Sequence, residues 1–554
     1  MDRKNGDRQG RDRSLFSQLR HKYEKRPWKE TLKLVRRCMD KPIYAPESNK
    51  VALNCLERLS GALKVSSVSA VVSKLETIAR ERGLGSHLSP AGTECFLTSD
   101  MFYVEVLLSE EGVQDVKVAQ HKETPMSCAT LLNLLRLNKF KDFSMKLERL
   151  HSLYDIPADN ETKVKVYTAL QCLEKDLLKI SNLPRSLSDH NPHVDTVLNG
   201  RTGKIIERKE GNPMSIEYYL CPNDLLKEKS HADQCTLGHV ALVTAWTSSS
   251  PQRLPMSSLI SQPPEIDAHG LPVFTTLGED NSAILPASFV LKLSPPLPVT
   301  SSFVRRIEHL TGMAISESGL QWKPFLQLLL GTFLQENDCR ESWEMGVAHF
   351  VMLPENRMHS YIVSGPTDGT AGLEGTLVLN VAFTHPAHVP KILELLRHQS
   401  ALNALLTSCI PTQKPTQEYV LDLHCEVILQ SDSNINISFV TDSDYLALLV
   451  VNLESCRKIS CRVFPPMLAD PSAEEHLSQV LTKCMSLPVT MRALCRRLRK
   501  KSTLTDSLEV TSTRPGASET PETSPPVSSE GNGLLPVPEE AGNISADASS
   551  AALP

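Results

Sequence analysis

Apolar residues recur at helical spacing near the start of the chain and at strand spacing further along it. Four early segments place apolar side chains three and four residues apart, as amphipathic helices require: residues 14–25, a segment from Pro27, residues 49–64 and residues 66–82. Later, two runs rich in β-branched and aromatic residues, 101–108 and 113–119, flank a turn that contains Gly112. Two such runs around a glycine predict a β-hairpin.

The helical pattern ends in residues 83–105, where Gly83, Gly85, Pro90 and Gly92 lie close together. Turn-forming residues at this density stop a helix and predict a tightly folded connection. We expect this stretch to set how the early helices pack on the first sheet. If φ at Gly85 is positive, a β-branched side chain there is strained, because glycine alone adopts that conformation readily.

Helical and strand patterns alternate in the rest of the chain. Helices are predicted at residues 127–150, 161–180, 299–310, 324–334, 389–409, 473–485 and 489–501. Strands are predicted at residues 215–221, 239–246, 285–293, 348–353 and 375–383, and in a meander over 418–464. This order predicts an α/β protein of the α+β type, with N-terminal helices followed by several antiparallel or mixed sheets, each covered by helices.

Two segments repeat one order of elements. The segments from Val116 and Leu379 each contain a strand, a turn with His and Pro, and a helix bearing LLNLLR or ILELLR. Residues 418–497 again place helices after strands. A duplicated sheet-plus-helix unit explains the repeat, and convergence on a common layout explains it as well.

Shifts in composition divide the chain into segments. They are a disordered N-terminus (1–13), a helical region (14–82), a hairpin with helices (83–183), a linker (184–199), a mixed strand and helix region (200–372), a sheet-plus-helix region (373–501) and a disordered tail (502–554). The first and last segments are polar, and the tail is rich in Pro, Ser, Thr and Glu. Such compositions bury too little apolar surface to fold alone.

Composition narrows the function classes. The chain has 554 residues, 40% of them hydrophobic, and a formal net charge of −5, which argues against a general nucleic-acid-binding surface. Its start lacks the apolar stretch of a signal peptide, and no window is apolar enough to span a membrane. The 14 cysteines include no CxxC pair. We therefore expect an intracellular protein with reduced thiols, no membrane association and no sequence-specific DNA binding.

The usual catalytic motifs are missing from the sequence. The fragment GRTGK at 200–204 has the wrong spacing for a phosphate loop, and neither GxSxG nor HExxH occurs. A zinc site would need Cys456 and Cys461 to meet His424 and Cys425, although these residues fall in or beside predicted strands. A nucleophile set of His87, Cys95 and Asp100 is less plausible than a hydrogen-bonded loop histidine. We predict no enzyme, no metal site and no cofactor.

Interaction motifs are more frequent. Three LxxLL sequences occur, at Leu131/Leu134/Leu135, Leu326/Leu329/Leu330 and Leu402/Leu405/Leu406. A short LxxLL helix can place its leucines in a partner's groove, but all three sequences lie in apolar-periodic helices, which favours burial in the core of this protein. A basic run, Arg496, Arg497, Arg499, Lys500 and Lys501, is either a nuclear-import patch or a helix C-terminus with favourable cations.

Several long segments carry a family resemblance. RPWKETLKLVRRCMDK from Arg26, GLGSHLSPAGTECFLTSDMFYVEV from Gly83, LPASFVLKLSPPLPVTSSFVRRIEHLTG from Leu285, GTLVLNVAFTHPAHVPKILELLRHQSALNALLTSC from Gly375 and CMSLPVTMRALCRR from Cys484 resemble, in this order, the N-terminal region of the subunit 1 family of the Mediator complex. The resemblance covers about residues 15–497. It implies a nuclear, non-enzymatic subunit of the Mediator middle module that bridges transcription activators and RNA polymerase II.

The resemblance also implies partners. Other middle-module subunits are the first of these, and activators or nuclear receptors are further candidates. Long vertebrate members of the family carry their receptor-binding LxxLL boxes in a large disordered region, whereas this sequence stops at Pro554 after a tail without LxxLL. It is therefore similar to a short form or a subunit-1-like paralogue. The alternative function is a free-standing coactivator-like adaptor that binds its partners through an LxxLL helix.

Overall fold

The computed structural model of the protein describes residue 33 and residues 68–509, except 111, 121–123, 153–155, 187–190, 210–211, 223–237, 269, 316–320, 337–345, 366–372, 412–418 and 443, with the backbone alone at 335–336 and 501–509. The predicted polar segment 1–13, the predicted helices before residue 66, residue 33 excepted, and residues 510–554 of the predicted tail lie outside this range. The predicted start of the tail at residue 502 is wrong for residues 502–509, because they continue the last described helix. Contacts group the chain up to Arg497 into one compact unit and the residues from Leu498 into a second.

Ten helices lie in the described part of the chain. They are α1 (Val68–Glu81), α2 (Ala129–Arg136), α3 (Phe140–Ser152), α4 (Asn160–Ser181), α5 (Pro192–Asn199), α6 (Ser301–Thr311), α7 (Phe325–Glu336), α8 (His388–Thr407), α9 (Pro471–Cys484) and α10 (Leu487–Glu509). Side chains cap several of them, as at α4, where the Asp159 carboxylate accepts a hydrogen bond from the N–H of Thr162.

Seventeen strands complete the described elements. They are β1 (Gly85–Leu88), β2 (Glu94–Thr98), β3 (Phe102–Ser109), β4 (Gly112–Gln120), β5 (Met126–Ser127), β6 (Lys204–Ile206), β7 (Ser215–Tyr219), β8 (His239–Pro255), β9 (Ser282–Thr300), β10 (Lys323–Pro324), β11 (Ala348–Leu353), β12 (Arg357–Ser364), β13 (Glu374–Phe383), β14 (Val420–Leu429), β15 (Asn434–Val440), β16 (Leu446–Ser455) and β17 (Lys458–Phe464). They form three sheets, so the predicted α/β fold class is confirmed.

The first sheet is antiparallel and follows chain order from β1 to β5. The predicted hairpin is confirmed, because β3 and β4 pair across the turn before Gly112. Val104, Val106 and Val116 are fully buried on one face of this sheet. They share one hydrophobic core with the buried side chains of α1, α2 and α3. Burial of alternate strand positions under helices is the pattern of a sheet with one covered face.

The glycines between α1 and β2 have different roles. Gly83 and Gly92 adopt positive φ values of 69° and 71°, which favour glycine. Gly85 does not have positive φ, contrary to the condition considered from the sequence. It lies in β1 opposite Thr98, and a Cβ at Gly85 would lie 2.6 Å from Thr98 Oγ1. Glycine at position 85 therefore permits a close approach between strands.

The helix predicted over residues 127–150 is wrong in one respect, because the structure divides it. α2 ends at Arg136, α3 begins at Phe140, and Asn138 between them has a φ of 54°. Asparagine tolerates this left-handed conformation better than most residues do. The bend lets both α2 and α3 contribute buried side chains to the core of the first sheet.

Strands of the second and third sheets alternate along one stretch of the chain. The second has the order β10-β13-β9-β8-β7-β6, and the third has the order β11-β12-β14-β15-β16-β17. β12 and β14 are parallel, and β13, which lies between them in sequence, belongs to the second sheet. The predicted segment boundary at 372/373 therefore separates β10 from its partner β13 and β12 from its partner β14. The segment boundaries remain a proposal.

Helix α8 joins these two sheets. α8 contacts β7 and β9 of the second sheet and β16 of the third. In contrast, α2 packs against β4, the last long strand before it in the sequence. Arg397 on α8 is buried and donates hydrogen bonds to the carbonyl oxygens of Val197, Gly200 and Tyr218, at 2.8, 2.7 and 3.0 Å. These bonds fix α8 to α5 and β7. Whether the sheets superpose as duplicated units remains a prediction.

Candidate interaction surfaces

The first LxxLL sequence lies on α2. Leu131 and Leu135 are buried in the core of the first sheet, and Leu134 is half-buried against the same core. The neighbouring Arg136 donates hydrogen bonds of 3.1 and 2.7 Å to the carbonyl oxygens of Val113 and Gln114 on β4. Arg136 and the buried leucines therefore hold α2 on the sheet. A docking helix would have to expose those same leucines.

The other two LxxLL sequences are more deeply buried. On α7, which packs against β9 and β13, Leu326, Leu329 and Leu330 have at most 6% of their surface exposed. On α8, Leu402, Leu405 and Leu406 have none exposed. These leucines are core residues in the folded protein. A partner could reach them only if α7 or α8 left the strands against which it packs.

The basic run lies on α10, and Arg496 within it pairs with an acid. Arg496 contacts the Glu355 carboxylate at 2.6 Å, and Arg492, one turn earlier, contacts it at 3.2 Å. The Arg496 hydrogen bond, with a further contribution from Arg492, holds the pKa of Glu355 below its usual value. Glu355 occupies the turn between β11 and β12. Import through Arg497, Arg499, Lys500 and Lys501 remains a prediction.

The residues considered for metal binding or catalysis do not converge. His424 is exposed and contacts Ser360 at 3.1 Å, whereas the adjacent Cys425 is fully buried, because neighbouring strand residues point to opposite faces. Burial raises the pKa of the Cys461 thiol to about 12. His87, Cys95 and Asp100 are similarly divided: His87 is exposed on β1, Cys95 is buried, and Asp100 pairs with Lys163. Within the described residues, no group of three suitable side chains could hold a metal ion.

The third sheet has one buried face and one partly exposed face. Cys425, Leu449 and Val463 are buried on the inner face. On the outer face, a row of paired residues crosses all six strands: Ala348, Ile362, Glu426, Ser438, Leu448 and Phe464. The outer face is therefore mixed in polarity at its centre.

One end of this sheet carries exposed apolar side chains, which we call the apolar rim. It consists of Val440, Tyr445, Leu446, Phe464 and Met467, whose exposed fractions range from 42% to 77%. Val440 and Leu446 are directly paired, and Phe464 is opposite Leu448 on the next strand. Clustered apolar side chains at this exposure are typical of protein contact surfaces.

Sequence reasoning missed the apolar rim, although one signal was present. In β16 the outward positions Leu446, Leu448 and Val450 are as apolar as the inward positions Ala447 and Leu449. A strand that is apolar on both sides is typical of a sheet covered on both faces. Leu446 is nevertheless 71% exposed in the isolated chain.

The sequence matches one known family over most of the described fold. A family described as Mediator of RNA polymerase II transcription subunit 1 matches residues 53–411, which include all of the first and second sheets. The chain belongs to the Mediator subunit 1 family. No helix of the described residues is long and apolar enough to cross a membrane.

Individual relatives match a larger part of the chain than the family model does. Mediator of RNA polymerase II transcription subunit 1 from Xenopus tropicalis is 38% identical over 501 residues, which cover 87% of this chain and 32% of the relative. The Xenopus laevis protein of the same name gives the same identity and coverage. The Drosophila melanogaster protein is 30% identical over 446 residues, which cover 76% of this chain and 29% of the relative. The chain thus spans about a third of the length of the Xenopus relatives.

Proposed function

We propose that this chain is a non-enzymatic subunit of the Mediator complex. It acts in the nucleus, belongs to the middle module and helps to bridge transcription activators and RNA polymerase II. The observation that carries this proposal is the family match over residues 53–411. Identity of 38% over 87% of the chain supports a shared fold and shared docking surfaces.

The fold supports a binding role in two ways. The LxxLL leucines of α7 and α8 are buried in the core, so contacts with partners fall to the surface of the sheets. The apolar rim offers that surface, because it exposes aromatic and aliphatic side chains of the kind that anchor protein interfaces. Its partner under this proposal is another Mediator subunit.

Purification of the tagged full chain from nuclei tests the proposal. Mediator subunits should be enriched with the wild-type chain, and cross-links should fall mainly on middle-module subunits. Recovery of no Mediator subunit would overturn the proposal. Cross-links mainly to another module would overturn the placement.

Two matched variants test the apolar rim. Leu446→Asp places a charge at a residue that is 71% exposed, and Ile284→Asp does the same at a residue that is 64% exposed on the second sheet. Both exposed sites should tolerate the change without unfolding. Leu446→Asp should reduce Mediator recovery and Ile284→Asp should not. Equal recovery of the two variants would exclude the apolar rim as a contact.

A further inference from the structure

The sheets end in edge strands of very different kinds. In the described part of the chain, β5 and β10 have two residues, β6 has three, and β1 has four exposed residues, GSHL. Such short edges offer little backbone to another strand. Short edge strands are one way in which proteins avoid unwanted pairing.

Strand β17 is longer, but α9 protects its edge. The N–H of Cys461 donates to Ser478 Oγ at 2.9 Å, and the N–H of Val463 donates to Glu474 Oε1 at 2.9 Å. Two side chains of one helix thus occupy donors that an added strand would use. Covering an edge with a helix is a second way of blocking it.

Strand β11, at the opposite edge of the third sheet, has neither form of protection among the described residues. It has six residues, AHFVML, and the sheet order ends at it. Phe350 is 41% exposed, and Val351 and Met352 are half-buried. A strand of this length and apolar character at an edge is suited to pair with another strand.

The edge is also held in a fixed position. All six residues of β11 pair with β12 in one continuous register. The turn between them has positive φ at Glu355 and Asn356, and Arg492 and Arg496 on α10 hold Glu355. A preformed edge lowers the ordering cost of binding.

We propose that the outer edge of β11 accepts an extended segment of another Mediator subunit, which adds a seventh strand to the third sheet. The segment is about as long as β11, lacks proline at its pairing positions and has apolar side chains at alternate positions. Those on one face contact Phe350 and Met352, and those on the other face contact Val351. Backbone hydrogen bonds supply affinity, and the alternate side chains supply specificity. This inference rests on the proposed membership of Mediator.

Three lysine variants of the tagged full chain test the proposal in nuclei. Phe350→Lys charges the β11 edge, where lysine opposes strand pairing. Ile206→Lys is the matched control, because Ile206 is an apolar edge-strand residue with 40% exposure on the three-residue β6. Phe464→Lys tests the outer face of the third sheet at β17, the edge that α9 protects, where Phe464 is 42% exposed.

Phe350→Lys should weaken Mediator recovery by about tenfold, as expected for loss of a central contact, while Ile206→Lys leaves it unchanged. In the purified assembly, backbone amides of residues 348–353 should exchange with deuterium more slowly than in the free chain. If the wild type recovers Mediator but the β11 amides stay unprotected, the strand proposal fails and the proposed function stands. If Phe464→Lys alone weakens recovery, the outer face is the contact and the strand proposal is wrong. If the wild type recovers no Mediator subunit, both fail.

Discussion

The guanidinium of Arg397 donates a 2.7 Å hydrogen bond to the carbonyl oxygen of Gly200, which lies 197 residues earlier in the chain. With the bonds to Val197 and Tyr218, it satisfies three carbonyl groups. Burial lowers the pKa of Arg397 to about 10, so the side chain stays charged at neutral pH. A buried arginine directed at backbone carbonyls thus joins distant segments of the chain.

Replacement of this arginine should destabilise the protein strongly. Arg397→Met keeps much of the apolar stem but leaves the three carbonyl groups without these donors, which should cost on the order of 3 kcal/mol of unfolding free energy. Chemical denaturation measures the loss. The exposed Arg305→Met on α6 is the control and should change stability by less than about 0.5 kcal/mol. Equal effects of the two variants would show that the Arg397 bonds contribute nothing.

Truncation of an LxxLL leucine should reveal its place in the core. Leu405 is fully buried, so Leu405→Ala should lower the free energy of unfolding by about 3 kcal/mol through lost burial and a cavity. Leu137, which is 63% exposed, provides the comparison Leu137→Ala, with a much smaller effect. Unchanged stability in Leu405→Ala would mean that α8 does not pack as described.

A double substitution tests the close approach at Gly85. Gly85→Ala places a Cβ 2.6 Å from Thr98 Oγ1 and should therefore destabilise the protein by about 1 kcal/mol or more. Thr98→Ala removes that oxygen, so the double variant should recover most of the loss. A thermal denaturation series of the four chains measures the coupling. Additive effects would place the strain elsewhere.

Stability should fall in mild acid because of His239. Burial beside the rings of Tyr218 and Tyr219 lowers the pKa of His239 to about 4. In the unfolded chain this histidine takes up a proton near its ordinary pKa of about 6.5. The unfolded state therefore binds more protons between these values, and stability is lost as pH falls from about 6.5 to 4.

The variant His239→Gln isolates this contribution. Its melting temperature should fall less than that of the wild type over the same pH interval, because the other histidines titrate in both proteins. Differential scanning fluorimetry at several pH values measures the two curves. Parallel curves would show that His239 does not titrate differently in the folded and unfolded states.

Elements with local signals were predictable from the sequence. The β3–β4 hairpin and the four-strand meander alternate inward apolar and outward residues, so their patterns identify them. β12 was missed because its sequence RMHSYIVS places polar residues at buried positions. His359 and Ser360 are both buried there; His359 contacts the Tyr361 hydroxyl at 2.9 Å, and Ser360 contacts His424 on β14 at 3.1 Å. Tertiary hydrogen bonding satisfied a polar pattern that resembles a loop.

Long-range pairing and surface exposure were not predictable in the same way. β12 pairs with β14 although the paired residues are more than 50 positions apart in the sequence. Neither strand has a sequence pattern that identifies the other as its partner. The LxxLL leucines and the apolar rim use the same residue types, so periodicity alone does not separate core from contact surface. Only the fold distinguishes Leu405, which is fully buried, from Leu446, which is 71% exposed.

The passage of the chain between the second and third sheets has a practical consequence for fragments. The chain leaves the third sheet after β12, contributes β13 to the second, and returns to the third with β14. A fragment that ends between residues 365 and 373 lacks an interior strand of the second sheet and four strands of the third. Neither sheet can therefore be produced alone by cutting the sequence at a single point, and binding experiments on this protein need the two sheets in one polypeptide.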